Sequence, residues 1–286
     1  MQSSNPVFAR SETFNGRATR TAAGSRRPAD WSIGMPGMSE TPGLPGAPSP
    51  THVGDDRITI DSVVQKTGAT LGLLVASAAV TWLIIGEVAG TSADAAANLG
   101  QARALMIGGA LIGFGLAMVN SFKRVVSPAL VLAYAVVQGV AVGAISKVFE
   151  TFYDGVVLGA VGGTMAAFAG TLTAYKVLDI KVTDKFRKGV VAAMFGFVAV
   201  AMFDFVLQMF GSGFGFNGFG PLGLITSVVG VVLGVLMLIL DFDFVERAIA
   251  AGAPERESWR AAFGLTVTIV WIYIEMLRIL AILRGD

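Results

Sequence analysis

Seven apolar runs divide the chain, at approximately 68–88, 104–122, 128–148, 155–175, 189–210, 222–241 and 261–283. Each approaches the roughly 20 residues that a helix needs to cross a hydrocarbon core about 30 Å thick. Polar and charged residues gather in the short links, so the pattern predicts an all-α polytopic membrane protein, a bundle of seven transmembrane helices. Residues 1–65 show neither helical nor strand periodicity. They are rich in Gly, Pro, Ser and Thr, with Pro42, Pro45, Pro48 and Pro50 punctuating the run, and read as a disordered cytosolic tail. Residues 66–286 then form the transmembrane domain. Arg10, Arg17, Arg20, Arg26 and Arg27 among serines and threonines have something of a transit peptide, but Glu12 and the missing apolar stretch argue against a cleaved signal.

Composition agrees with the pattern. Apolar residues make up 54% of the 286, charged residues only 14%, and the mean hydropathy is +0.69, whereas a soluble domain carries about 25% charge. A net charge of +1, with basic residues dispersed between apolar runs, gives no patch for nucleic acid. The absence of cysteine removes disulfides, thiol catalysis and thiolate metal sites. The single histidine, His52, lies in the polar tail, which excludes a histidine-based triad or zinc centre within the membrane. A paired-aspartate protease would need a GxGD-like context that is missing, so no enzyme is expected.

Lysines and arginines in the links set the expected orientation. Lys123 and Arg124 follow the second run; Lys176, Lys181, Lys185, Arg187 and Lys188 follow the fourth; Arg247, Arg256 and Arg260 follow the sixth. Links after the odd-numbered runs are poor in them, and 211–220 has none. This places the amino terminus in the cytosol and the carboxy terminus outside. The 211–220 link, with Phe214, Phe216 and Phe219, reads as a flexible outer turn whose aromatics meet the membrane interface. Gly108, Gly109, Gly113 and Gly115 in the second run, with Gly159, Gly162 and Gly163 in the fourth, form small-xxx-small patterns for close helix packing in lipid.

Acidic residues within the apolar runs carry the candidate chemistry, since each costs about 2.5–3.5 kcal/mol to insert. Glu87, Asp204 and Glu275 fall in the outer half and Asp241 and Asp243 at the cytosolic end of the sixth run, an acidic vestibule and an acidic gate of the kind a cation or proton path needs. Asp241 and Asp243 point about 200° apart on a helix, so one faces the interior. Asp241, continuing the apolar run, is the expected one, with Asp243 at the water interface; the other reading is that both merely mark the helix end. The macrodipole at that end opposes negative charge, which suits proton coupling. Thr268, Trp271, Glu275 and Arg278 share one face of the seventh helix. A Glu275–Arg278 ion pair could fix packing or serve transport. Asp204, with Gln208 as its nearest polar neighbour along the helix, is either pore-facing or neutral and hydrogen-bonded.

Several segments resemble the Bax inhibitor (transmembrane Bax inhibitor motif) family. Ser127-Pro128-Ala129-Leu130, Tyr134-Ala135, Gln138-Gly139 and Gly143-Ala144-Ile145-Ser146 look like its third helix; Leu240-Asp241-Phe242-Asp243 resembles the end of its sixth, and Leu277-Arg278-Ile279-Leu280 its seventh. The resemblance covers about residues 60–284. It implies a seven-helix bundle with a pH-sensitive cation leak, chiefly for calcium, governed by two aspartates on helices six and seven. Asp241 matches the first, and is the one candidate metal contact. Aligning Arg278 with the family's arginine puts Thr268 where the second would stand, and Gln138 takes the place of a frequent acidic residue. Glu275 lies about 10 Å further along the helix than Thr268.

Two functions from different classes follow. One is a cation leak of a bacterial inner membrane, gated by Asp241, with calcium as permeant ion and no cofactor. The other is a non-conducting adaptor, or modulator of a membrane protease, whose tail recruits a protein partner and whose buried acids are structural. A secondary transporter is disfavoured because the seven runs show no internal repeat.

Overall fold

A computed structural model describes residues 57–285. The expected polar tail lies outside the described residues as far as residue 56, and His52 with it. Seven helices follow: α1 (Ile60–Ile84), α2 (Ala93–Phe122), α3 (Pro128–Phe152), α4 (Val156–Val177), α5 (Asp184–Met209), α6 (Pro221–Ala250) and α7 (Glu257–Gly285). All seven are long and apolar enough to cross a membrane. The chain is an all-α integral membrane protein.

The helices begin where local chemistry can satisfy free N–H groups. Thr59, Ser92 and Thr183 cap α1, α2 and α5 with side-chain oxygens. Pro128 and Pro221 open α3 and α6, where a missing N–H costs nothing. Ahead of α4, Gly155 takes a left-handed φ of 71°, and the Glu150 carboxylate accepts from the N–H groups of Gly155 and Val157, both at 2.9 Å.

Most helices outrun their apolar stretches, because hydropathy reports the part that lipid must accept while capped polar turns extend into the headgroups. The difference that bears on the candidate acids is at α6. It continues through Asp241 and Asp243 to Ala250, a helix of 30 residues and about 45 Å. Asp241 therefore lies about 13 Å short of the helix end, beyond the last turn in which the macrodipole acts. Neither aspartate marks a helix end, and the dipole argument for proton coupling falls away.

Helix α7 is the hub and touches α1, α3, α4 and α6; α3 touches α1, α2, α4 and α7. Leu74, Ala135, Val142, Val270, Tyr273 and Leu277 from α1, α3 and α7 form the main core, extended by Val156 and Ala160 of α4. By contrast α5 packs on α6 and presents Phe195, Met202, Phe203 and Phe205 outward, as expected of a helix bathed in lipid.

Small residues bring the backbones together, though not always those expected. Gly109 and Gly113 face Ala141 and Gln138 of α3, and Gly159 and Gly163 face Leu280 and Met276 of α7, while Gly108, Gly115 and Gly162 face open space. The tightest approach between helices is at Gly139 and Gly143, where an added Cβ would overlap the carbonyl oxygens of Leu74 and Ala78 on α1.

At the end where α1 begins, here the proximal end, Ile58 N–H donates to Ala253 O (2.8 Å), the Ser62 and Ser258 hydroxyls share a hydrogen bond (2.7 Å) and Lys66 pairs with Glu255 (2.7 Å). These contacts clamp the start of α1 to the α6–α7 turn.

Replacing Gly143 by leucine should destabilise the bundle by about 1–3 kcal/mol or more through overpacking, read as a lower melting temperature of the purified protein in detergent. Gly115→Leu, which meets nothing, should leave that temperature unchanged.

Candidate functional site

Three consecutive residues of α6 face three different helices, because each step along a helix turns about 100°. Asp241 faces α7, where Thr268 Oγ1 donates to its Oδ2 at 2.7 Å. Phe242 faces α4, its ring 5.7 Å from both Phe168 and Tyr175. Asp243 faces α5: its Oδ2 accepts from Arg187 at 3.0 Å and pairs also with Arg247 one turn on.

The surroundings of Asp243 correct the expectation that it sits at the water interface. It is only 8% exposed and held by two guanidinium groups. Packing of α5 on that side of α6 covers it, something a single helix's periodicity does not reveal. Asp241 is half-buried, with Thr268 its one hydrogen-bond donor and no arginine or lysine in ion-pair reach among the described residues. The Thr268 hydroxyl also lies 3.1 Å from Gly264 O; its one proton has the carboxylate as the nearer acceptor. Gly264 makes the approach possible, since a Cβ there would stand 3.2 Å from Asp241 Oδ1. Thr268, set by alignment where a second aspartate would stand, is thus in direct contact with Asp241.

A cavity of about 290 Å³ opens beside Asp241, between the end of α2, Val126 of the α2–α3 link, α6 and the first turns of α7. Asn120, Ser121, Arg260 and Phe263 contribute to its wall. Arg260 is engaged by Glu257 (3.1 Å) and by the carbonyl of Arg124 (2.8 Å).

The acids expected in the outer half meet a different fate. Asp204 is fully buried and accepts five hydrogen bonds, from Gln208 Nε2 (2.8 Å), the N–H groups of Phe214 (2.7 Å), Gly215 (3.2 Å) and Asn217 (2.9 Å), and Asn217 Nδ2 (3.1 Å). Every partner is a donor, as an acceptor-only carboxylate requires. Asp204 is therefore hydrogen-bonded rather than pore-facing, and it organises the α5–α6 loop. Glu275, 5% exposed, pairs with Arg278 at 3.3 Å, and Arg278 donates to Phe216 O at 3.0 Å. Asp204 thus holds the loop's N–H groups and Arg278 one of its carbonyls. The 211–220 loop is pinned rather than free, and Phe219 packs against Phe149 and Tyr153. Trp271 donates to Gly230 O at 3.0 Å, a hydrogen bond that joins α7 to α6. Glu87 stands apart from all of these: it is exposed in the α1–α2 link, where its backbone carbonyl accepts from Asn98 at 2.9 Å.

Sequence reasoning missed Asn120. It is 4% exposed, and neither its Oδ1 nor its Nδ2 has a partner among the described residues. A lone amide near the end of an apolar run was the available signal. It also missed Arg187, placed in the basic cluster but not opposite Asp243.

Among the described residues no group of three or more His, Asp or Glu converges as a metal site would require. Asp241 contributes one carboxylate and Thr268 one hydroxyl, well short of the 6–8 oxygens of a resident calcium.

The family model described as Bax inhibitor 1 like matches residues 5–285. Comparison with curated proteins finds no match.

Substituting Asp204 by alanine leaves five donors without their acceptor, a loss of about 1–3 kcal/mol per buried group left unpaired. The expected outcome is faster limited proteolysis within 211–220 in the folded protein, with Glu87→Ala indistinguishable from wild type in the same assay.

Proposed function

The chain belongs to the Bax inhibitor 1 like family, and from that premise we propose that it is a pH-sensitive cation leak with Asp241 as its gate and calcium as a permeant ion. One observation carries this reading. Of the five acids buried or half-buried in α5, α6 and α7, Asp241 alone lacks a compensating set of partners: Asp204 has five donors, Asp243 two arginines, and Glu257 and Glu275 one arginine each. A carboxylate left this exposed to a change of charge is the one whose protonation alters the bundle.

The step is simple. Ionised Asp241 draws the Thr268 hydroxyl and holds α6 against α7 with a charge-assisted bond. On protonation the bond becomes one between neutral groups, weaker by about 1 kcal/mol. A two-state closed-to-open equilibrium then moves about fivefold toward open. With one carboxylate and one hydroxyl at this level, a cation passes with most of its water rather than residing. On this reading the proximal end, which carries most of the lysines and arginines, faces the cytosol of a bacterial inner membrane, and the carboxy terminus lies outside. The protein is not an enzyme.

The full compensation of Asp204, Asp243 and Glu275 favours a second reading, in which the buried acids serve the bundle and the tail recruits a protein partner. Deleting residues 1–56 separates the two. A leak keeps its flux in liposomes, whereas an adaptor binds nothing once shortened and conducts nothing at either length.

For the leak, calcium and proton flux through the reconstituted protein should rise as pH falls. Asp241→Asn should remove that dependence, leaving one flux at every pH. A pH profile in the variant that matches wild type takes Asp241 out of the mechanism.

A further inference from the structure

We infer that the cavity beside Asp241 is a water-filled inlet opening at the proximal face, and that Asn120 is the side chain that holds water in it. A buried amide with both polar atoms unpartnered is rare in native proteins, and each such group costs about 1–3 kcal/mol if left dry. Asn120 is 4% exposed with Oδ1 and Nδ2 both unmatched among the described residues, and it lines this cavity. Water resolves the deficit, because a buried water makes 2–4 hydrogen bonds to polar groups of this kind. The cavity, about 290 Å³, has room for several waters and offers Ser121, Asp241 and Arg260 as further polar contacts.

The position gives the water a task. Asn120 lies two residues before the end of α2, at the proximal end, and Asp241 lies deeper on α6. Thr268 occupies Asp241 Oδ2, which leaves Oδ1 as the atom a water can reach. An amide both donates and accepts, so it can bond one water on each side. A proton delivered at the mouth then passes from water to water, each giving up one proton as it accepts another, onto Asp241 Oδ1, while the Asn120 amide positions the waters and takes no part in the transfer.

Charged groups around Asp241 do not provide a competing acceptor in the cavity. Arg260 of α7 is engaged by Glu257 and by the carbonyl of Arg124. Asp243, with Arg187 of α5 and Arg247, faces the other side of α6, and Glu246 accepts from Tyr175 of α4 at 2.8 Å. On α2 the facing group is Asn120 itself. Proton delivery rests on Asp241 being the gate; hydration of the cavity does not.

The cysteine-free chain allows a direct test in the full-length, reconstituted protein. A small cationic methanethiosulfonate reagent, applied from the proximal side, should modify Asn120→Cys within roughly tenfold of the rate for the exposed Lys123→Cys, because only a hydrated thiol ionises and reacts. Val131→Cys, at a position fully buried in the apolar core, should react on the order of a hundredfold more slowly. If Asn120→Cys is as inert as Val131→Cys, the inlet is dry and the inference is overturned. Hydroxyl-radical labelling of the unmodified protein provides a second measure: Phe263, 8% exposed but lining the cavity, should be oxidised, and its complete protection counts against bound water. After a pH jump, Asn120→Leu should slow the change in flux at least severalfold while Asn120→Gln preserves it. Labelling without any effect of Asp241→Asn would leave the inlet standing and remove the gate.

Discussion

A carboxylate inside a bilayer must be met by donors or opposite charge, and this requirement shapes the distal and proximal halves of the bundle in different ways. Lipid offers no water to an unpartnered group. On the distal side the chain answers by folding a loop over the acid: the N–H groups of residues 214, 215 and 217 converge on Asp204, while Arg278, itself paired with Glu275, takes the carbonyl of Phe216. The α5–α6 connection is held from both ends of its peptide dipoles. On the proximal side arginines from α5 and α6 close on Asp243. These are alternative solutions to one problem, and both consume the acid they satisfy.

Asp241 is the departure from that rule, and its setting depends on how closely α6 and α7 approach. Gly264 lets the carboxylate lie against the α7 backbone, and further along the same contact Gly230 and Gly234 admit Glu275 and Ile272. An added Cβ at these positions would press on the side chains of Asp241, Glu275 and Ile272, at 3.2, 2.9 and 2.6 Å. The electrostatic oddity of the site is therefore a consequence of packing: glycines bring a charged group to a helix that offers a single hydroxyl. Beside it, the gap between the end of α2 and α6 leaves an amide and a carboxylate on one cavity wall.

The same packing explains why α7 carries most of the polar detail. It touches four other helices, so almost any polar side chain on it finds a neighbour. Ser258 reaches Ser62 of α1, Tyr273 reaches Ser146 of α3, and Trp271 reaches Gly230 of α6. By contrast α5, whose backbone comes close to α6 alone among the described helices, buries Asp204 and Val190 and little else.

Sequence alone determined the number of helices, their membrane-spanning character and the identity of the acids that needed explaining, because all three follow from the local cost of placing each residue in hydrocarbon. The family resemblance put Thr268 where a second aspartate would stand, and helical spacing gave the Glu275–Arg278 pair; the contact of Thr268 with Asp241 came from the structure. Only the tertiary structure decided how Asp204, Asp241 and Asp243 differ in their partners. Hydropathy ended α6 at Asp241 because it registers what lipid tolerates, whereas the helix runs on to Ala250 because its backbone hydrogen bonds do not depend on the side chains' polarity. Beyond Arg247 and Gln208, one turn along the same helix, the partners of Asp243 and Asp204 come from a different helix and from a loop folding back, separations of 56 residues in the first case and up to 13 in the second. Whether a charge is compensated is a property of what the fold places within about 3 Å of it, and no pattern along one helix contains that distance.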